Sequence, residues 1–155
     1  ITTPSDCEIA ATRTFDAPRE LIFEAWTNPK YVPLWMLGPD GWTMPVCEID
    51  LRPGGAWRFV WRRNHPAGTE MDMHGLYKEV DPPERLVFVE SWGGDWPDTL
   101  NTLTLSERHG KTTMQLCIQD PSKAARDAVL KTGMKDGMAR SFDRLAAHLR
   151  SRGTN

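Results

Sequence analysis

Apolar and polar residues alternate through the middle of the chain, whereas near both ends apolar residues recur every three or four positions. CEIAATRTF, residues 7–15, alternates and is rich in β-forming residues, which predicts a first strand. Asp16, Ala17 and Pro18 then predict a helix start, with Asp16 as N-cap and the proline in the first turn. PRELIFEAW places Leu21, Ile22, Ala25 and Trp26 at helical spacing, and Asn28-Pro29 ends the helix. PKYVPLWM predicts a second short helical segment closing on Trp35 and Met36, and GPDG, residues 38–41, predicts a turn.

From Trp42 the period becomes two. WTMPVCEIDL, residues 42–51, reads as a strand in which Pro45 marks an edge or a bulge. RPGG turns the chain into AWRFVWRR, residues 56–63, where Trp57, Phe59 and Trp61 share one face and Arg58 and Arg62 the other. NHPAG is the next predicted turn. EMDMHGLYKEV, residues 70–80, sets Met71, Met73, Gly75 and Tyr77 against Asp72, His74, Leu76 and Lys78. DPPE turns into RLVFVESW, residues 85–92, and GGDWP forms a loop. DTLNTLTLSE and KTTMQLCIQ predict two more strands, joined tightly around His109-Gly110.

After Asp120-Pro121-Ser122, with Ser122 as cap, residues 123–150 predict one long helix and SRGTN a frayed tail. Its apolar stripe is Leu130, Met134, Met138, Phe142, Leu145 and Leu149, in steps of three and four. The whole order is one strand, two short helices, six strands in a meander and a long terminal helix. Short turns predict an antiparallel sheet of about seven strands, with helices on one face, an α+β domain. No repeat, linker or low-complexity segment divides the 155 residues, so a single domain over 1–155, with its core in 7–150, is expected.

GMKDGM, residues 133–138, puts two glycines on or beside the stripe of that helix, each costing roughly 1 kcal/mol relative to alanine. A twisted sheet cannot touch a straight helix along its whole length. Gly133 and Gly137 therefore either admit a bulky partner such as Trp35 or Trp57, or leave volume that the protein does not fill. Flanking Met134 and Met138, adaptable side chains, favour the second.

Composition narrows the classes. Net charge is −2, with lysine and arginine scattered among the acids, which argues against a nucleic-acid or anionic-membrane surface. No apolar run approaches the ~20 residues of a membrane span. No secretory signal opens the chain, although Ile1 rather than methionine leads us to expect a start further upstream. Cys7, Cys47 and Cys117 are odd in number and dispersed, which predicts free buried thiols in a reducing cytoplasm. Seven tryptophans against two tyrosines suit either a core or a cavity wall.

Catalytic motifs are weak. His65, His74, His109 and His148 have no metal-ligand spacing, so no metal and no cofactor is expected. His65 and His109 are expected to be solvated in turns, His74 to face solvent, and His148 to be favoured as imidazolium near a helix end. No nucleophile elbow or phosphate loop occurs. Glu90 shares parity with Phe88 and Trp92, so its carboxylate, if enclosed, would be raised in pKa and suited to acid–base chemistry or ligand anchoring. Asn101, Thr102 and Thr104 are weaker polar candidates. The aromatic and methionine set comprises Trp35, Trp57, Phe59, Trp61, Met71, Met73, Phe88, Trp92, Met114, Met134, Met138 and Phe142. Most of these are core; a part of them, with Glu90, Gly133 and Gly137, is expected to line a small-molecule pocket. The GPDG loop and GGDWPD, residues 93–98, are its candidate mouth.

Four stretches carry a resemblance: RTFDAPRELIFEAWTNPKYVPLWM, DLRPGGAWRF, GLYKEVDPPERLVFVESW and GMKDGMARSFDRLAAHL. The third fits a G-x-Y-x-E-V-x-P-P-E-R-L-V-F pattern from Gly75 to Phe88. Over residues 7–150 the chain resembles the START-like, or SRPBCC, superfamily, and within it the group named after the activator of the heat-shock protein 90 ATPase. The resemblance implies a helix-grip fold with an apolar cavity between sheet and terminal helix, used across the superfamily for lipids, sterols, polyketides or hormones and in some members for cyclisation or dealkylation. The large amino-terminal domain of the namesake co-chaperone has no counterpart here. The expected function is binding of a small apolar or aromatic molecule. The alternatives are a cyclase-, lyase- or hydrolase-type enzyme using Glu90, and a chaperone partner protein, which would need an apolar outer sheet face. An edge strand such as residues 7–15 also offers pairing to a second copy, a homodimer.

Overall fold

The computed structural model describes residues 1–64 and 68–153. His65, expected in the NHPAG turn, and the last two residues of the tail lie outside the described residues. Among the described residues seven strands form one antiparallel sheet: β1 Glu8–Phe15, β2 Trp42–Ile49, β3 Ala56–Arg63, β4 Thr69–Asp81, β5 Arg85–Ser91, β6 Thr99–Arg108 and β7 Lys111–Gln119. The helices are α1 Arg19–Thr27, α2 Val32–Trp35, α3 Lys123–Leu130 and α4 Met134–Gly153. The strand order is β1-β7-β6-β5-β4-β3-β2, so six strands follow as a meander and β1 returns to pair with β7. This is the α+β arrangement expected.

Residues opposite one another across a ladder share a face. Trp57 faces Gly75, Phe59 faces Met73, Phe88 faces Asn101, and Leu116 lies between Leu103 and Ala11. These side chains form the inner face. They pack in one buried cluster with Ile22, Trp26, Trp35, Phe142, Leu145 and Leu149 from the helices. Each fully buried leucine contributes about 1.5–3 kcal/mol by leaving water. The outer face of β3 and β4 carries ion pairs, Arg58–Asp72 at 2.8 Å and Arg62–Glu70 at 2.9 Å, as the alternation predicts. The ladder between β2 and β3 shifts between Thr43 and Val46, beside Pro45, which cannot donate a ladder bond.

Four local expectations are corrected. The single helix over 123–150 is two helices. Gly133 has φ +79, a left-handed conformation open to glycine at little cost, and the chain turns there before α4 begins. Asp16 does not cap α1; the cap position is Pro18, without a side-chain bond, and Glu107 from β6 accepts the Arg19 N–H at 2.7 Å. The tail is not frayed from Ser151, because α4 continues to Gly153. Ser122 caps α3 as expected, accepting from the Ala125 N–H at 3.1 Å. The cysteines are free but half-buried rather than buried, and the Cys117 thiol donates to Glu8 Oε2 at 2.9 Å. On the outer edge of β1, Thr2 exchanges both backbone bonds with Ala10, at 2.8 and 2.9 Å.

Candidate functional site

Strands β3 to β6 each send one residue into a single transverse row of the inner face. Trp57 lies opposite Gly75, Gly75 opposite Glu90, and Glu90 opposite Thr99. Asp120 continues the row. It has the parity of Met114 and Leu116, and its N–H bonds to the Cys7 carbonyl at 2.8 Å, one step beyond the Glu8–Gln119 pair. One pair further into the sheet sits Asn101, 1% exposed, between Phe88 and Ile118. Its amide nitrogen donates to Thr99 Oγ1 at 3.0 Å. An otherwise apolar face is therefore polar from Glu90 to Asp120.

Glu90 Oε1 accepts from the Trp92 indole N–H at 2.6 Å. The Trp92 ring stacks on Trp61, with centroids 5.7 Å apart and planes 20° apart, and the Trp61 N–H donates to the Met36 carbonyl at 2.7 Å. Loss of water raises the Glu90 carboxyl to about 7; the Trp92 bond opposes this and nearby Asp120 adds to it. Asp120 is 2% exposed, and burial raises its pKa as well, against the pull of Arg126 on α3. That guanidinium is taken up by the Ser5 carbonyl at 2.8 Å and by Asp127 at 2.9 Å. Both Asp120 carboxylate oxygens, and the N–H of Trp57, have no hydrogen-bond partner among the described residues. Gly75 is what lets Trp57 lie across β4: a Cβ there would come within 2.7 Å of the indole and run into the Val89 carbonyl.

The predicted lining residues divide by place. Trp35, Trp57, Phe59, Trp61, Met73, Phe88, Met114 and Phe142 are buried in the cluster. Met134 and Met138 are half-buried. Met71 is 41% exposed and Trp92 36%, because both lie near strand ends where the helical cover stops. Gly133 is exposed, and a Cβ there would meet nothing within 4 Å, so it faces open space. Gly137 is buried, and its added Cβ would lie 3.3 Å from Pro39 Cδ, so it admits the GPDG loop rather than Trp35 or Trp57. That loop is held on α4: Ser141 Oγ accepts the Gly38 N–H at 2.8 Å, and Arg144 donates to the Gly38 carbonyl at 2.6 Å and to Asp40 at 2.9 Å. Thr102 and Thr104 are half-buried with outward parity, while Asn101 points inward. His74 is exposed; His109 sits in its turn at φ 55. His148 is lowered, not raised, by burial and by Arg152, beside the Tyr31 ring at 5.0 Å. Asp120 was hidden by its Pro-Ser context; its signal was the parity of Met114, Leu116 and Ile118.

Among the described residues no group of three side chains could hold a metal ion. The described residues line open concavities, two of which stand out. One, of about 630 Å³, is lined by Arg58, His74, Leu76 and Ser91 together with Trp57 and Gly75. The other, of about 410 Å³, lies where Arg13 and Phe15 of β1 meet Leu149 and Arg150 of α4. Neither includes Glu90 or Asp120, although the larger of the two reaches Trp57 and Gly75 of the row. The polar row on the inner face is the better candidate, because its unpaired groups are already out of water.

The family described as Activator of Hsp90 ATPase homolog 1-like protein matches residues 16–150. A solved protein from Rhodobacter sphaeroides is similar at 29% identity and TM-score 0.87, covering 95% of this chain and 94% of that one. A second, from Chromobacterium violaceum, is similar at 25% identity and TM-score 0.79, covering 92% and 96%. An AHSA1-like protein from Aeromonas hydrophila shares the fold at 21% identity and TM-score 0.71, covering 92% and 94%. No curated protein matches the chain.

Proposed function

The chain belongs to the Activator of Hsp90 ATPase homolog 1-like family, and from that premise we propose that it binds a small apolar or aromatic molecule between the inner face of the sheet and α4. The fold is the helix-grip of the START-like superfamily. One observation carries the reading: an aromatic inner face holds buried polar groups that the protein leaves unpaired, the Trp57 N–H and the Asp120 carboxyl. Natural proteins pair nearly all such groups, since each unmade bond costs about 1–3 kcal/mol. Apolar walls with a few convergent polar groups are what small-molecule sites are made of. Entry is favoured at the end of β5, where Trp92 is partly exposed and Gly93 and Gly94 carry positive φ. The GPDG loop, tied to α4, is the less mobile rim.

Native mass spectrometry of the purified protein, followed by denaturation and identification of what is released, tests the reading. A near-stoichiometric apolar compound is expected. An empty protein that also takes up no hydrophobic dye would sink it.

A second reading is favoured by Glu90 alone. A carboxyl raised to about 7 is poised to give or take a proton near neutrality, as a cyclase-, lyase- or hydrolase-type reaction needs. Any turnover found should then fall about a hundredfold or more in Glu90→Gln. Unchanged turnover removes this reading. The chaperone-partner reading is disfavoured by the ion pairs on the outer face.

A further inference from the structure

Glu90 and Asp120 are two acids at one end of an aromatic inner face. Among the described residues neither is ion-paired to a lysine or arginine: Glu90 is bonded to Trp92, and the Asp120 oxygens to nothing. The charged group that bears on Glu90 is Asp120, and the one that bears on Asp120 is Arg126, already engaged by Ser5 and Asp127. The other row members, Trp57, Gly75, Thr99 and the adjacent Asn101, carry no charge.

We infer that this end of the grip recognises an organic cation, a protonated amine on an apolar or aromatic body, with its ammonium between Glu90 and Asp120 and its body against Trp57 and the Trp61–Trp92 pair. The inference rests on the ligand-binding reading above. A buried acid beside a half-buried one, with no cation between them, is unfavourable when both ionise, and a single ammonium relieves both. Indole faces add attraction for a cation; Trp57 belongs to the row, and Trp61, Phe88 and Trp92 lie beside it. The same two acids repel a carboxylate. A neutral amide could bond to Asp120 and to the Trp57 N–H, yet it would leave the acids without a counter-charge. The free Trp57 donor suits an oxygen of the ligand close to its amine.

Isothermal calorimetry on three probes of one body tests this: naphthylmethylamine, naphthalenecarboxamide and naphthoic acid. The amine stays protonated between about pH 6 and about pH 8, while Glu90 ionises across that range. Cation binding favours the ionised acids and so expels protons. The amine's Kd should fall about tenfold from pH 6 to pH 8, its heat should vary with the buffer's ionisation enthalpy, and at pH 8 it should bind at least about tenfold tighter than the acid. Glu90→Gln and Asp120→Asn should each flatten the pH dependence and narrow the preference for amine over amide, with amide binding retained as evidence of an intact fold. Amide or acid binding as tightly as the amine, or an amine affinity that does not rise with pH, overturns the inference and leaves the ligand-binding reading standing. No binding of any probe, with no dye uptake, overturns both.

Discussion

Glu90 shows how a single position in a strand acquires chemistry from its neighbours across the sheet. A surface glutamate ionises near 4.5; here burial, strengthened by Asp120, lifts the value to about 7. The folded protein therefore binds more protons than the unfolded chain between these values, and stability must fall as pH rises through that window, then level off. The loss is no more than about 3.5 kcal/mol, and less to the extent that water reaches the half-buried side chain. Glu90→Gln keeps an acceptor for the Trp92 N–H and removes the charge. Its melting temperature should match the parent near pH 4 and exceed it near pH 8. Parallel pH profiles for the two proteins would show that Glu90 is solvated after all. Gly75, opposite it, makes an independent prediction. Gly75→Ala drives a methyl into the Trp57 indole and the Val89 carbonyl, and backbone cannot yield as a side-chain tip can. We expect a loss of about 2 kcal/mol or more in urea denaturation, against about 1 for an ordinary overpacked site. The sequence announced Glu90 and Gly75 through their period-two company. It did not announce Asp120, which stands where proline and serine signal a loop and is held inward only because β1 extends one residue further along β7.

At the scale of elements, the strands were legible and the last helix was not. Alternation around Trp57, Phe59 and Trp61 sets both the limits of β3 and its buried face, because a strand with one wet side repeats every second residue. The apolar steps from Leu130 to Met134 to Met138 mimic one continuous helix across a real break at Gly133. Spacing alone carries no information on φ. The two glycines of GMKDGM therefore do different things, and alanine should separate them. At position 133 the backbone is left-handed with empty surroundings, so Gly133→Ala costs strain, about 1–2 kcal/mol. Position 137 is helical, and alanine there gains up to about 1 kcal/mol of helix propensity, offset by displacing Pro39 a few tenths of an ångström. Gly137→Ala should thus stay within about 0.5 kcal/mol of the parent, and chemical denaturation of the pair decides. Equal losses at both positions would mean that the α3–α4 break is not where the strain lies. The start of α1 was illegible for another reason: its capping carboxylate, Glu107, comes from a strand 88 residues away in sequence.

For the whole molecule, the decisive contact is the one that the meander does not make by itself. β2 to β7 pair with sequence neighbours through short turns, whereas β1 must find β7 across nearly the full chain, Glu8 against Gln119. Local pairings close small loops and form early; the β1–β7 ladder closes a loop of about a hundred residues and carries a larger entropy cost. That ladder also positions Asp120, so the polar row is complete only when the sheet's last partner has docked. Two buried residues separate the stages. Ile9 on β1 is fully buried opposite Ile118, and Phe59 lies on β3 opposite Met73. Ile9→Ala should cost about 2–4 kcal/mol at equilibrium and appear almost wholly as faster unfolding, because the contact is absent from the transition state. Phe59→Leu, in the meander, should slow folding in proportion to the stability that it removes. Chevron plots of the two variants give the answer directly. If Ile9→Ala slows folding as much as Phe59→Leu does, β1 docks in the rate-limiting step and the candidate site forms with the sheet rather than after it.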